Sequence, residues 1–117
     1  MIKGHWSVVH LNKKVDDEFD ALPTDIKAKF LHLAALIEEL GLLLIGEPYV
    51  KHIDGKLWEM RIKASSGYGR GLYCTYSERR VVVLRYFVKK SAETPKRELQ
   101  LARQRMMEIN KNEKNAK

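Results

Sequence analysis

Apolar side chains change their period along this chain, helical in the first third and alternating in the middle, and that change predicts most of its elements. Val15, Phe19 and Leu22 share one face of a segment that opens on Asn12, a side-chain cap, with Asp16, Asp17 and Glu18 near the positive end of the helix dipole. A second segment opens at Pro23, repeats Ile26, Phe30, Leu33, Ile37 and Leu40, and stops at Gly41. The two are expected to form an antiparallel helical hairpin. Before them, residues 5–11, with Trp6, Val8 and Val9, read as a strand. After them, residues 42–49 join an apolar LLLI run to Gly46 and Pro48 and read as a packed connection. Asp54 and Gly55 supply a turn. Residues 57–63 then alternate, with Trp58, Met60 and Ile62 on a core face and Glu59, Arg61 and Lys63 on the other. Strands over 70–76 and 81–88, set off by turns at 65–67 and 77–79, complete a three-stranded antiparallel meander. Thr94 and Pro95 mark the cap and first residue of a last helix with a stripe of Leu99, Ala102, Met106 and Ile109. The predicted order is β-α-α-β-β-β-α, an α+β domain whose N-terminal helical hairpin and C-terminal helix cover one face of a small antiparallel sheet.

Composition narrows this in two ways. At 117 residues the chain suits a single domain, placed at 1–110, with a polar tail over 111–117 that has nothing to bury and is expected to be disordered. One cysteine, Cys74, excludes an intramolecular disulfide and a cysteine-based metal site, and reads as a buried structural thiol in a reducing compartment. The N-terminal residues lack the apolar core of a signal peptide and the longest apolar run is too short to cross a bilayer, so a cytoplasmic protein with no membrane partner is expected.

Charge changes the picture more. The net charge is +7, and residues 51–90 hold ten Lys or Arg against three acidic residues, so the whole excess lies on the strands. A pI near 9.6 makes a polyanion the expected partner, nucleic acid ahead of membrane. His5, His10, His32 and His52 are scattered without ligand spacing, so neither a metal nuclease nor any other cofactor is expected. A Ser-His-Asp or Cys-His hydrolase also lacks its constellation.

The element order, the sequence LWEMRI, Arg70 and Tyr73 spaced as R-x-x-Y, and above all Phe87-Val88-Lys89-Lys90 followed by Thr94-Pro95 resemble the RelE/ParE toxin superfamily in its phage-type HigB-like branch. The resemblance spans roughly Trp6 to Glu108. Members of that branch generally carry Leu-His-Gly-Phe ahead of the lysines, where this chain has Leu84-Arg85-Tyr86-Phe87. The resemblance implies a RelE-like fold and the toxin of a type II toxin–antitoxin pair, an mRNA interferase that cuts messages on the ribosome without a metal ion. It implies as partners a helix-turn-helix antitoxin (HigA-like), the ribosome and mRNA, with operator DNA reached only through the antitoxin. A ParE-like gyrase inhibitor with no chemistry, and a plain nucleic-acid-binding module, are the alternatives on the same fold.

Metal-free RNA cleavage needs a group to take the 2′-OH proton, cations to neutralise the five-coordinate phosphorus, and a group to protonate the leaving 5′-oxygen. Arginine and lysine suit the second task. Arg61, Arg70, Tyr86, Lys89 and Lys90 are therefore the catalytic candidates, and Lys51, His52, Lys56, Lys63, Tyr73 and Arg85 the RNA-binding ones. For the proton transfers Tyr86, Tyr73, His52, Glu59 and a lysine of lowered pKa all remain open. Ordinary readings compete throughout. Arg61 and Lys63 fit any half-solvated strand, Arg79 and Arg80 suit a surface turn, and Tyr86 shares a face with Val82, Leu84 and Val88 by alternation, which marks it as core. Arg85, grouped by the same alternation with Val81, Val83, Phe87 and Lys89, is costly there unless an anion meets it.

Overall fold

The computed structural model describes residues 6–77, 79–90 and 93–115. In chain order these form β1 (Ser7–His10), α1 (Lys13–Asp20), α2 (Thr24–Leu40), a 3-10 turn (Leu42–Leu44), β2 (Val50–Asp54), β3 (Leu57–Ala64), β4 (Gly67–Tyr76), β5 (Arg80–Lys89) and α3 (Lys96–Asn115). The α+β class holds. Two of its expected features change.

The sheet has five strands in the order β1-β5-β4-β3-β2, and it is mixed. β2 to β5 form an antiparallel meander, while β1 pairs with β5 in parallel. No hairpin turn sets the direction of β1, because nearly the whole domain separates it from its partner. β2 was not expected, since VKHID lies between Pro48 and Gly55 and shows little alternation. As a short, charged edge strand it owes its order to pairing with β3.

The helices also cover both faces rather than one. Val15, Ile26, Phe30, Leu33 and Ile37 of α1 and α2 pack on Met60, Ile62, Tyr73, Val81, Val83 and Tyr86. On the other face Leu99, Ala102, Met106 and Ile109 of α3 pack on Leu57, Leu72, Cys74, Val82, Leu84 and Phe87. A strand buried on both sides explains why VVVL at 81–84 is apolar without alternation.

The helix signals act locally as expected. The Asn12 side chain accepts from the Val15 N–H at 3.2 Å. Gly41 ends α2 at φ +89, and the Trp6 indole sits 3.0 Å from where a Cβ would stand. α3 starts after Pro95, whose carbonyl accepts from the Glu98 N–H at 3.0 Å. It continues to Asn115, past the expected start of the tail. Ala116 and Lys117 lie outside the described residues, as does His5 of the expected first strand.

One irregularity decides the site. Leu72 stands opposite Arg85 and Tyr73 opposite Val83, so Leu84 has no partner on β4 and β5 bulges there. Beyond a bulge the alternation of a strand is inverted. Tyr86 therefore joins Val81 and Val83 beneath α1 and α2, and Phe87 joins Val82 and Leu84 beneath α3.

Candidate anion-binding site

Residues directly opposite on neighbouring strands share a face. On the α3 face of the sheet the register gives three successive rows: Glu59, Leu72 and Arg85; Arg61, Arg70 and Phe87; Lys63, Tyr68 and Lys89. This face thus grades from apolar, where α3 lies on it, to cationic.

A carboxylate lies inside the cationic part. Glu59 is only 1% exposed. Its Oε1 is 3.2 Å from Arg61 Nε and 3.6 Å from Arg70 Nε, and its Oε2 accepts from the Thr94 hydroxyl. The sheet cations are thereby tied to the loop ahead of α3. Arg70 is 3% exposed and Lys89 8%. Arg70 also donates to the Gly69 carbonyl at 3.2 Å, and its guanidinium lies 5.6 Å from the Tyr68 ring centroid, with Lys63 Nζ at 5.9 Å. The Lys89 ammonium is buried and has no hydrogen-bond partner among the described residues. Burial, then the neighbouring Arg70, lowers its pKa from that of ordinary lysine, against the pull of Glu59. Burial likewise lowers the Arg70 pKa, against the pull of Glu59. Arg61 and Arg70 thus share one enclosed carboxylate, and Lys89 lies near enough to feel the charges of Glu59 and Glu93, a set of cations suited to a phosphate.

Of the other candidates, Lys63 lies beside this cluster, exposed, in the row of Lys89. Lys90 follows β5 and is exposed. Lys51, on β2, stands opposite Glu59. Lys56 lies in the β2–β3 turn, at the far end of β3 from Lys63.

Four expected contributors are placed elsewhere. Tyr73 is fully buried beneath α1 and α2, because alternation along β4 turns it away from Arg70. Burial raises its pKa, and its hydroxyl has no partner among the described residues. The bulge carries Tyr86 to the same core, against Phe19 and Phe30, with its hydroxyl 3.0 Å from His10 Nε2. His10 Nδ1 is in turn 2.7 Å from Asp16 Oδ1. Burial, then the charge of Asp16, raises the Tyr86 pKa. His52 pairs with Trp58, on the face opposite Glu59, and its Nε2 is held 2.8 Å from the Gly55 carbonyl. Arg85 is engaged by two helix carboxylates, with Nε 2.8 Å from Glu98 Oε1 and Nη1 2.9 Å from Glu18 Oε2. Burial pulls its pKa down, but the Glu98 hydrogen bond and the Glu18 charge prevail and leave it raised.

Arg105 completes that second group. It pairs with Glu18 at 2.8 Å and donates to the Leu84 carbonyl at 2.8 Å, while Glu18 accepts from the Tyr86 N–H at 3.3 Å. β1 pairs with β5 only through Val83, so past that point its edge is met by these charged side chains, which join α1 to α3. Glu98 and Arg105 were not singled out from the sequence, and Glu18 and Thr94 were read there for their helix-end positions and, for Thr94, the family motif, not as partners of the sheet arginines and Glu59. Glu98, Ala102 and Arg105 are spaced to share one face of α3, and a polar pair on a helix's apolar stripe was the available signal.

Cys74 is buried under α3, and burial raises its thiol pKa. Among the described residues no three His, Cys, Asp or Glu side chains are grouped as metal ligands, and no helix is long and apolar enough to cross a membrane.

The chain is a small basic α+β protein with an excess of cations on one sheet face. Residues 17–107 match the sequence profile of the family described as Phage derived protein Gp49-like (DUF891). The match takes in most of the chain, which belongs to that family, one associated with the toxins of toxin–antitoxin systems. No curated protein matches the chain.

Proposed function

We propose that this protein is a HigB-like toxin of a type II toxin–antitoxin pair and acts as a metal-independent, ribosome-dependent mRNA endonuclease. The observation that carries this reading is the pair of Arg61 and Arg70 on the buried Glu59 carboxylate, with the buried Lys89 in the next row of the same sheet face. In the proposed reaction the ribose 2′-oxygen attacks the adjacent phosphorus and gives up its proton. The bond to the 5′-oxygen breaks, that oxygen takes a proton, and a 2′,3′-cyclic phosphate remains. Arg61 and Arg70 hold the non-bridging oxygens, whose charge grows in the transition state. Lys63 and Lys90, and at longer range Lys51, guide the backbone.

For the proton transfers the choice narrows. Tyr73, Tyr86 and His52 lie across the sheet, and Glu59 is enclosed by two arginines and Thr94. Lys89 is left, its pKa lowered first by burial and then by the neighbouring Arg70. Glu59 acts through others, by orienting Arg61 and Arg70 and linking them to the loop before α3.

In this reading a helix-turn-helix antitoxin, HigA-like and encoded beside the toxin, neutralises it and alone contacts operator DNA. The test is a translation reaction with purified protein, read by mapping new RNA ends. Messages cut while translated, with free RNA left whole, are expected. Growth arrest with intact messages and induced DNA damage would replace this reading with gyrase inhibition.

A further inference from the structure

β2 pairs with β3 only as far as Val50 opposite Met60, so β3 runs on past the end of its neighbour. The edge there is met by other groups: the Arg61 N–H donates to the Tyr49 carbonyl at 2.8 Å, and Lys29 Nζ donates to the Lys63 carbonyl at 2.6 Å. Between this edge, α2 and the connection at 41–49 lies a cleft of about 830 Å³. Leu33, Leu36, Leu44, Ile45 and Ile62 give it apolar walls. Tyr49, 54% exposed, and the half-buried Tyr68 add two rings, and Lys29, Arg61 and Lys63 stand against one acidic residue, Glu47.

This cleft is continuous with the cationic part of the sheet. Arg61, Lys63 and Tyr68 line it, and the same three residues belong to the rows in which Arg61 and Arg70 share Glu59. A phosphate held on Arg61 and Arg70 therefore has the cleft beside it, where the base of an adjoining nucleotide can turn in.

We infer that the cleft takes the base of an RNA nucleotide flanking the bound phosphate, with Tyr49 as its principal stacking surface. The inference rests on the RNA-directed reading of the arginine cluster and adds to it a site for a base. A base has flat apolar faces and a polar edge, which matches aromatic and aliphatic walls with cations among them. Arginine and lysine donors suit the carbonyl and ring-nitrogen acceptors of that edge. The strand is single, because a duplex keeps its bases stacked inside and would leave the cleft unfilled. A second copy of this chain would instead set Lys29, Arg61 and Lys63 against cations of the same +7 protein.

The test uses isotope-labelled full-length protein and a short single-stranded oligoribonucleotide methylated at every 2′-oxygen, so that it cannot be cut. A strand of the same length lacking its bases is the comparison. The complete strand should shift the backbone amides of Leu36, Leu44 and Ile45 together with those of Arg70 and Lys89, and the abasic strand only the last two. Tyr49→Leu should weaken binding of the complete strand about tenfold, Tyr49→Phe should restore it, and neither should change binding of the abasic strand. The inference is overturned if the complete strand leaves the cleft amides unmoved, or if the abasic strand, polyglutamate or protein concentration alone moves them as far. Binding is read without cleavage, so the two readings fail separately. Cleft shifts with no cutting of translated messages would remove the ribonuclease reading and keep the base site, and cutting with no cleft shifts would do the opposite.

Discussion

Two ionic clusters lie close together on this protein, and they differ in their balance. In the first, Arg85 and Arg105 meet Glu18 and Glu98, two cations for two carboxylates, with a backbone carbonyl and amide of β5 included. In the second, Arg61 and Arg70 meet Glu59, Lys89 lies close by under the pull of Glu59 and Glu93, and the lysine ammonium has no hydrogen-bond partner among the described residues. Both contain buried arginine. Only the second buries a lysine ammonium without a hydrogen bond among the described residues, a cost to the fold that is the expected mark of a site shaped for a ligand anion. Charge balance, more than the number of cations, separates structural ion networks from functional ones here.

The largest effect that tests this contrast is on activity. Lys89→Met and Arg70→Ala should each lower message cleavage by about 100- to 1000-fold, the usual cost of losing one charge-stabilising or proton-transferring group. Lys89→Met should at the same time leave stability unchanged or raise it by about 1 kcal/mol, because an unpartnered buried ammonium is removed. Arg85→Ala should do the reverse. Stripping two largely buried carboxylates of their shared partner should cost about 2 to 3 kcal/mol in denaturant unfolding, with cleavage per folded molecule close to wild type.

Smaller effects are expected from the two buried tyrosines. Tyr86→Phe gives up the His10 contact and should cost about 1 kcal/mol, whereas Tyr73→Phe removes an unpartnered hydroxyl and should be neutral or stabilising by about 1 kcal/mol. Neither should abolish cleavage, and a large activity loss in Tyr86→Phe at full stability would return that residue to the site. The smallest effect concerns pH. Both phenols have pKa values raised above the ordinary 10.0, so above that pH the native state holds protons the unfolded chain has lost. Their contribution is present in full below pH 10.0 and falls as pH rises beyond it, and either Phe variant should flatten that decline in alkaline unfolding curves.

Much of this was legible in the sequence where the signal is local. Asn12, Pro23 and Gly41 bound their helices through chemistry within one turn, and the alternation over 57–63 correctly divides Met60 and Ile62 from Glu59 and Arg61. What could not be read required a partner strand. The unpaired Leu84 inverts the face of every later β5 residue, so Tyr86 moved to the opposite core, and no composition signal marks the bulge. β2 exists because β3 is beside it. The same limit hid the meaning of Glu59. A lone acidic residue beside Arg61 looks like ordinary surface alternation until β4 brings Arg70 and the loop before α3 brings Thr94.

The measurement that bears most directly on the account compares cleavage rates of a translated message by wild-type, Lys89→Met and Arg85→Ala proteins, each corrected for its folded fraction. The account predicts cutting by wild type and Arg85→Ala at similar rates and a near-complete loss in Lys89→Met. Equal rates in wild type and Lys89→Met, or a selective loss in Arg85→Ala, would contradict it.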